Sequence, residues 1–82
     1  MNQDELRAAV LATLTGIAPE IEPGAIEPAR PLRDQVDLDS MDWLNFLIGL
    51  KERLGVDIPE ADYRQLATLG AIIGYLDTKL RA

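Results

Sequence analysis

Residues 39–55 read DSMDWLNFLIGLKERLG and hold a strong helical pattern. Apolar side chains recur at spacings of three and four residues, which is typical of an amphipathic helix. Either Asp39 or Ser40 can cap its first turn, because both side chains accept hydrogen bonds from free backbone N–H groups. Gly55 follows the last apolar residue, in the position where helices commonly end on a left-handed residue. The pattern therefore predicts a helix over residues 40–54.

This helix is apolar over roughly 200° of its circumference when residues are placed at steps of about 100°. A helix that faces a core needs little more than about 100°. The side chains that we assign to the core are Phe46, Leu50 and Leu54. Those that we expect to be partly exposed, on the side of Ser40, are Met41, Leu44 and Ile48. Exposed apolar surface of this kind marks a binding site, unless the preceding loop covers it through Leu32, Val36 and Leu38.

Three other segments have helical signatures, and no segment has the alternating pattern of a strand. The first begins with a capping box, in which the side chains of Asn2 and Glu5 satisfy backbone N–H groups reciprocally. The last begins after Thr68, which is a favourable cap. The predicted bounds are residues 3–16, 60–65 and 69–80. With the 40–54 helix they predict an all-α, four-helix bundle whose third helix is short.

A long loop separates the first helix from the 40–54 helix. Residues 18–38 contain four prolines, which cannot continue a helix. Loops of this length in compact domains are functional or packed by their own side chains. The apolar residues that could supply this packing are Ile21, Ile26, Leu32, Val36 and Leu38. We predict one small domain over residues 1–82, in which this loop is ordered and packs over the helices.

Three glycines fall inside the predicted helices. Gly49, Gly70 and Gly74 each cost up to about 1 kcal/mol relative to alanine in a helix, so their presence needs an explanation. Close crossings between helices are one explanation, and a loosened helix that lets the core open for a guest is the other.

Composition excludes several kinds of site. The chain contains no cysteine and no histidine, so disulfides and the usual zinc sites cannot form. Its formal net charge of −6 disfavours nucleic acid, since phosphate contacts need Lys and Arg, and favours partners with basic surfaces. We find no signal peptide and no apolar run near the roughly 20 residues of a membrane span. These features predict a cytoplasmic protein in a reducing setting.

Ser40 lies among acidic residues at the start of its helix. A catalytic serine needs an adjacent base and an oxyanion hole, and Lys51 is too far along the helix to be that base. Asp37 and Asp39 resemble the start of a calcium loop, but the later ligands are missing, so no metal site is predicted. The N–H groups of a first helical turn do favour an attached phosphate. Local spacing alone favours a plain helix cap, whereas we interpret Ser40 as an attachment point on which partner enzymes act.

Residues 39–42, DSMD, resemble the Asp-Ser-Leu-Asp signature of acyl carrier proteins. Residues 50–59, LKERLGVDIP, are similar to the family's stretch from the end of this helix into the next loop. The pairs Thr68-Leu69 and Tyr75-Leu76 are similar to the start and middle of its last helix. The resemblance covers roughly residues 31–80, and the motif together with the downstream stretch is specific.

The resemblance implies a four-helix carrier in which Ser40 bears 4′-phosphopantetheine, transferred from coenzyme A by a separate phosphopantetheinyl transferase. The thiol of this covalent arm holds acyl intermediates as thioesters in fatty-acid, lipid or secondary-metabolite biosynthesis. The chain would then be a monomeric carrier and not an enzyme. Its implied partners are the transferase and acyl-loading and acyl-processing enzymes with basic and apolar docking patches. The docking residues carried over from the family are Asp39, Met41, Asp42, Leu44, Ile48 and Glu52.

Departures from the family's pattern indicate a specialised member. Asn45 replaces a usual acid, while Lys51 and Arg53 add positive charge. Trp43 stands where the family usually has a smaller, more polar residue, and it fits either the core or the entrance to a pocket. Two alternatives stay open at this point. One is a carrier of aminoacyl or peptidyl cargo on the same arm, and the other is a cofactor-free interaction module in which Ser40 is only a cap.

Overall fold

The computed structural model describes residues 2–81 and contains no strand among them. Three long helices form the body of the molecule, with shorter helical pieces in the connections. The α-helices are α1 (Gln3–Ile17), α2 (Leu32–Gln35), α3 (Ser40–Leu54) and α4 (Leu69–Arg81). The 3-10 turns are Pro23–Ala25 and Glu60–Gln65. This architecture confirms the predicted all-α bundle with a long first loop and a short third helix, the latter being the turn at Glu60–Gln65.

Side-chain caps begin the long helices where the sequence predicted them. Asn2 and Glu5 form a capping box at α1: the Glu5 N–H donates to Asn2 Oδ1 at 2.8 Å, and the Asn2 N–H donates to Glu5 Oε1 at 3.2 Å. At α4, the Ala71 N–H donates to Thr68 Oγ1 at 3.0 Å. Each cap satisfies a backbone donor that has no partner inside the helix. The observed ends differ from the predicted ends by one residue, since α1 runs to Ile17 and α4 to Arg81.

The core lies where α1, α3 and α4 meet. Helix α1 contacts both other long helices and buries Leu6, Val10 and Leu14 completely. The buried side chains of the other two helices are Phe46, Leu47, Leu50, Leu69, Ile72 and Leu76. Burial of these apolar side chains is the main favourable contribution to folding in a chain without disulfides.

The long loop is ordered and contributes to this core, as predicted. Ile26, Leu32, Val36 and Leu38 are buried, and Ile21 packs against them from the edge. The loop also contains two short helical pieces, Pro23–Ala25 and α2, which the sequence analysis missed. Their few residues have no helical periodicity to detect, and the packing of the loop decides their conformation.

Hydrogen bonds hold the loop in place. The side-chain amide of Gln35 donates to the backbone oxygens of Glu27 and Arg30, at 2.9 and 3.0 Å, and its oxygen accepts from the Glu27 N–H at 2.7 Å. The Leu32 N–H donates to the Ala67 oxygen at 2.8 Å, which ties the loop to the residues just before α4. A second backbone bond to α4 runs from the Gly70 N–H to the Pro28 oxygen, at 3.1 Å. Individual contacts of this kind satisfy backbone groups of the loop that have no regular helical partner.

The three helical glycines have different environments. A Cβ atom on Gly49 would lie 2.8 Å from Cγ2 of Thr13 in α1, so glycine is required for the close crossing of α1 and α3. A Cβ atom on Gly70 would lie 3.2 Å from the Pro28 backbone oxygen, which is a close approach of the loop and not of a helix. Gly74 has nothing within 4 Å of such an atom. The predicted explanation by close helix crossing is therefore correct for Gly49 and wrong for the other two.

Candidate functional site

Ser40 is the first residue of α3, and its side chain is exposed. The cap of α3 is Asp39, whose Oδ1 accepts from the Asp42 N–H at 2.8 Å. Of the two candidate caps in the sequence, the structure selects Asp39 and leaves the Ser40 hydroxyl with no recorded partner among residues 2–81. At the other end, Gly55 stops the helix in a left-handed conformation with φ at 66°. A free hydroxyl therefore stands at the positive end of a helix of 15 residues, where an attached phosphate is favoured.

The outer face of α3 carries a strip of exposed apolar side chains. Met41, Leu44 and Ile48 are 67%, 40% and 47% exposed. The loop residues that could have covered them, Leu32, Val36 and Leu38, are buried in the core instead. We call Met41, Leu44 and Ile48 the α3 strip. Its exposure agrees with the sequence prediction, and covering by the loop does not occur.

Acidic residues accompany the α3 strip. Asp39 and Glu52 are exposed and Asp42 is half-buried. None of the three forms an ion pair with another side chain in residues 2–81. Their carboxylates are therefore available to a basic partner surface. All six predicted docking residues belong to α3 or to its cap.

Trp43 combines both environments that the sequence left open. Its ring is half-buried and packs on Phe46, with ring centroids 5.4 Å apart. Trp43 also lines a surface cleft of about 190 Å³. The guanidinium of Arg33 lies over the indole ring, 5.8 Å from its centroid, in a cation–π contact. Trp43 is thus a wall between the core and a surface cleft.

The cleft at Trp43 includes residues that the sequence analysis missed. Arg33 in α2 and Arg64 in the turn Glu60–Gln65 both line it. They stand ten residues before and 21 residues after Trp43 in the chain. No periodicity or motif connects these positions, so only the tertiary structure brings them together.

The side chains around Ser40 provide no catalytic apparatus. The ammonium of Lys51 points to the far end of α3, where it lies 3.8 Å from Asp57 Oδ1. Tyr75 donates to Asp62 Oδ2 at 2.6 Å; partial burial and this hydrogen bond raise the pKa of Tyr75 to about 12. It therefore stays protonated at neutral pH and acts as a structural donor. Among residues 2–81 no three acidic side chains are placed to hold a metal ion.

No helix within the described residues is long and apolar enough to cross a membrane.

Comparisons with known proteins identify relatives with the same architecture. The family model for a phosphopantetheine attachment site matches residues 4–76. An acyl carrier protein from Renibacterium salmoninarum is 32% identical over 62 residues, which cover 76% of this chain and 72% of that protein. An acyl carrier protein from Thermosynechococcus vestitus is 26% identical over the full length of both chains, 82 residues.

Another relative has a specialised name. The meromycolate extension acyl carrier protein of Mycobacterium tuberculosis is 28% identical over 76 residues, which are 93% of this chain. The matched part is 65% of that protein, so this chain spans about two thirds of its length.

A solved structure supports the fold. A solution structure of a provisionally named acyl carrier protein from Anaplasma phagocytophilum superposes with a TM-score of 0.83. It covers 96% of this chain and 92% of the other, at 24% sequence identity. At this identity the likeness shows that the two chains share the same helical fold.

Because the family model covers most of the chain, the cofactor-free alternative is excluded and the carrier prediction is confirmed. The family acts with a phosphopantetheinyl transferase and with acyl-processing enzymes, and the chain itself carries and does not catalyse. The chain belongs to the acyl carrier protein family, whose covalently attached 4′-phosphopantetheine holds acyl intermediates in fatty-acid or related biosynthesis.

Proposed function

We propose that Ser40 is the residue to which 4′-phosphopantetheine is attached. Ser40 is the only serine in the chain, and it lies inside the matched family segment, residues 4–76. Its side chain is exposed, and the cap of the helix is supplied by its neighbour Asp39. An attached phosphodiester would therefore lose no existing cap and would lie at the positive end of α3.

The residues around Ser40 fit the arm. The Asp42 N–H is taken by Asp39 Oδ1, and the N–H groups of Ser40 and Met41 are left for a phosphate oxygen, since the first turn of a helix has no internal acceptors for them. When attached, the arm supplies the thiol that a chain without cysteine lacks and holds the acyl group as a thioester. Ser40 itself has no base beside it, so the base for its hydroxyl proton comes from the transferase.

Intact-mass analysis after incubation with a phosphopantetheinyl transferase and coenzyme A tests this assignment. The wild-type chain should gain the mass of one arm, and Ser40→Ala should gain none. The variant should keep its helical circular-dichroism spectrum, because Asp39 and not Ser40 caps α3. Thr78→Ala removes another exposed hydroxyl on a helix and should still be loaded. Full loading of Ser40→Ala would overturn the proposal.

The α3 strip and its acidic neighbours are the proposed docking surface for partner enzymes. The exposed apolar side chains of the strip are a surface that a partner can cover and remove from water. The carboxylates of Asp39, Asp42 and Glu52 attract basic patches on that partner. The strip begins directly after Ser40 and continues for two turns. A partner bound there would have the attachment point at the edge of its contact surface.

The remaining assignments concern the whole chain. We propose that residues 1–82 form one carrier domain, which acts as a monomer in the cytoplasm. One core with contributions from all long helices supports the single domain. Absence of cysteine suits a reducing compartment. The bulky Trp43 and the amide of Asn45 support a specialised carrier with a dedicated set of partners.

A further inference from the structure

The cleft at Trp43 has apolar walls and a small volume. Trp43, Tyr63 and Leu66 form much of its lining, and its volume is about 190 Å³. Pockets for drug-sized ligands are larger, about 300–1,000 Å³. The cleft therefore suits a short group and is too small for a long alkyl chain.

Its charge is opposite to that of the molecule as a whole. The chain has 14 acidic and 8 basic residues, yet the charged residues that line the cleft are two arginines, Arg33 and Arg64, and no carboxylate. Neither arginine forms an ion pair with a side chain of residues 2–81. Two uncompensated cations beside an apolar wall favour an anionic group on an apolar stem.

Arg33 is arranged to bind a carboxylate. Its guanidinium lies over the Trp43 ring, with 5.8 Å between Cζ and the ring centroid. A guanidinium that rests on an aromatic face keeps its N–H edge free. That edge matches the two oxygens of a carboxylate. Arg64 enters the cleft from the turn Glu60–Gln65, so the two cations come from different elements.

The cleft is within reach of the proposed arm. Trp43 follows Ser40 by three residues on α3, which places the two side chains on neighbouring positions of the helix surface. The rise between them along the axis is about 4.5 Å. A group tethered to Ser40 therefore has a high effective concentration at the cleft, and weak contacts there are sufficient to hold it.

We propose that this cleft receives a short acyl group that ends in a free carboxylate, the monothioester of a dicarboxylic acid. Its methylene groups lie against Trp43, Tyr63 and Leu66, and its carboxylate pairs with Arg33 and Arg64. The inference rests on the proposed function, in which Ser40 carries the arm. A neutral acyl group of equal length gains the apolar contact alone and leaves both cations unpaired.

Tryptophan fluorescence tests the proposal directly, because Trp43 is the only tryptophan in the chain. The chain is loaded by a phosphopantetheinyl transferase with either succinyl-coenzyme A or butyryl-coenzyme A. Both products carry the same phosphodiester, so any attraction of the arginines for the arm itself cancels in the comparison. The measurements are the emission spectrum and quenching by neutral acrylamide. Succinyl cargo should protect Trp43 more, with a docked-to-free ratio roughly fivefold higher than for butyryl cargo, as expected of one exposed ion pair.

Three variants identify the groups responsible. Arg33→Gln and Arg64→Gln should each reduce the difference between the two cargoes. Arg53→Gln makes the same charge change at a residue that lines a separate groove between α1 and α3, and it should keep the difference. Cargoes are compared within each variant, because loss of the Arg33 cation alters the emission of Trp43 by itself. The wild-type difference should also shrink in 1 M salt, which screens exposed charges.

The outcomes separate this inference from the proposed function. If the chain gains no mass from either acyl-coenzyme A, the attachment at Ser40 fails and the cargo assignment fails with it. If both cargoes load and protect Trp43 equally, only the cargo assignment is overturned. The same holds if Arg53→Gln removes the difference as strongly as Arg33→Gln.

Discussion

At the scale of single residues, short polar contacts fix positions that apolar packing alone would leave loose. The carboxylate of Asp62 accepts the Tyr75 hydroxyl at 2.6 Å and joins the turn Glu60–Gln65 to α4. This turn carries Arg64, which lines the cleft at Trp43. A hydrogen bond from a side chain 13 residues away thus holds one wall of the proposed cargo site.

Tyr75→Phe should lower the free energy of unfolding by about 1 kcal/mol, since it removes one hydrogen bond to a charged, partly exposed acceptor. For a chain of 82 residues this corresponds to a decrease in Tm of roughly 4–8 °C. Thermal unfolding followed by circular dichroism at pH 7 measures the change. Tyr63→Phe is the matched control, because no hydrogen bond of the Tyr63 hydroxyl is found within residues 2–81. A larger loss in the control would contradict the role given to Tyr75.

The hydrogen bond between Tyr75 and Asp62 also predicts how the stability of the chain changes at alkaline pH. The pKa of Tyr75 in the folded chain is raised from 10.0 to about 12, so above pH 10 the folded state binds more protons than the unfolded state. The stability associated with this shift is complete below pH 10 and is lost as the pH rises toward 12. The wild-type chain should therefore lose more stability over this interval than Tyr75→Phe.

At the scale of the helix, α3 has two faces with different tasks. Phe46, Leu47 and Leu50 are fully buried and hold α3 on the core, whereas the α3 strip stays outside. A helix with an inner stripe alone would be a sufficient packing element. The second stripe is therefore the surface that we propose for docking of partner proteins.

Ile48→Ser tests the second stripe because Ile48 lies two turns from Ser40 and is 47% exposed. The variant should lower kcat/KM for loading by the transferase about tenfold, as expected for an apolar side chain at the centre of an interface. Its Tm should change little, since exposed substitutions usually cost less than about 0.5 kcal/mol. Leu80→Ser is the control, at a residue of α4 that is 36% exposed. Equal losses in both variants would refute docking on the strip.

At the scale of the whole molecule, the spacing between helices determines which substitutions are allowed. Helices α1 and α3 approach so closely at Gly49 that a methyl group there would meet Thr13 at 2.8 Å. By contrast, a Cβ atom added to Gly74 on α4 would have no neighbour within 4 Å. Two helical glycines with the same intrinsic propensity therefore differ only in the packing around them.

Alanine at these positions should have opposite effects. Gly74→Ala should raise the free energy of unfolding by up to about 1 kcal/mol, because alanine favours the helix. Gly49→Ala should lower it, since the added methyl group would crowd Thr13 where the two helices cross, and overpacking costs about 1–3 kcal/mol and exceeds the propensity gain. Urea denaturation measures both.

A double variant isolates the clash. Thr13→Ser removes the methyl group and keeps the hydroxyl, whose bond to the Ala9 oxygen is 2.8 Å long. Combined with Gly49→Ala, it should restore stability relative to Gly49→Ala alone. If both glycine variants stabilise the chain, the close crossing is not rigid.

Much of the fold could be predicted from the sequence because its signals are local. Asn2, Thr68 and Gly55 mark helix ends through hydrogen bonds and backbone geometry within a few residues. The exposure of Met41, Leu44 and Ile48 followed from an excess of apolar residues around one helix. Gly70 was misjudged, because the neighbour that crowds it is the loop residue Pro28. Sequence spacing has no information about such a contact.

The amino-acid sequence by itself determined the all-α bundle, the helix that begins at Ser40, the carrier family and the lack of a catalytic base. Each of these depends on periodicity, a motif or a residue type that is present or absent. The structure selected Asp39 over Ser40 as the cap of α3, a local choice that the sequence left open. Only the tertiary structure placed Trp43, Arg33 and Arg64 around one cleft. The cleft depends on contacts between segments distant in the chain, whose approach is set by the packing of the complete core.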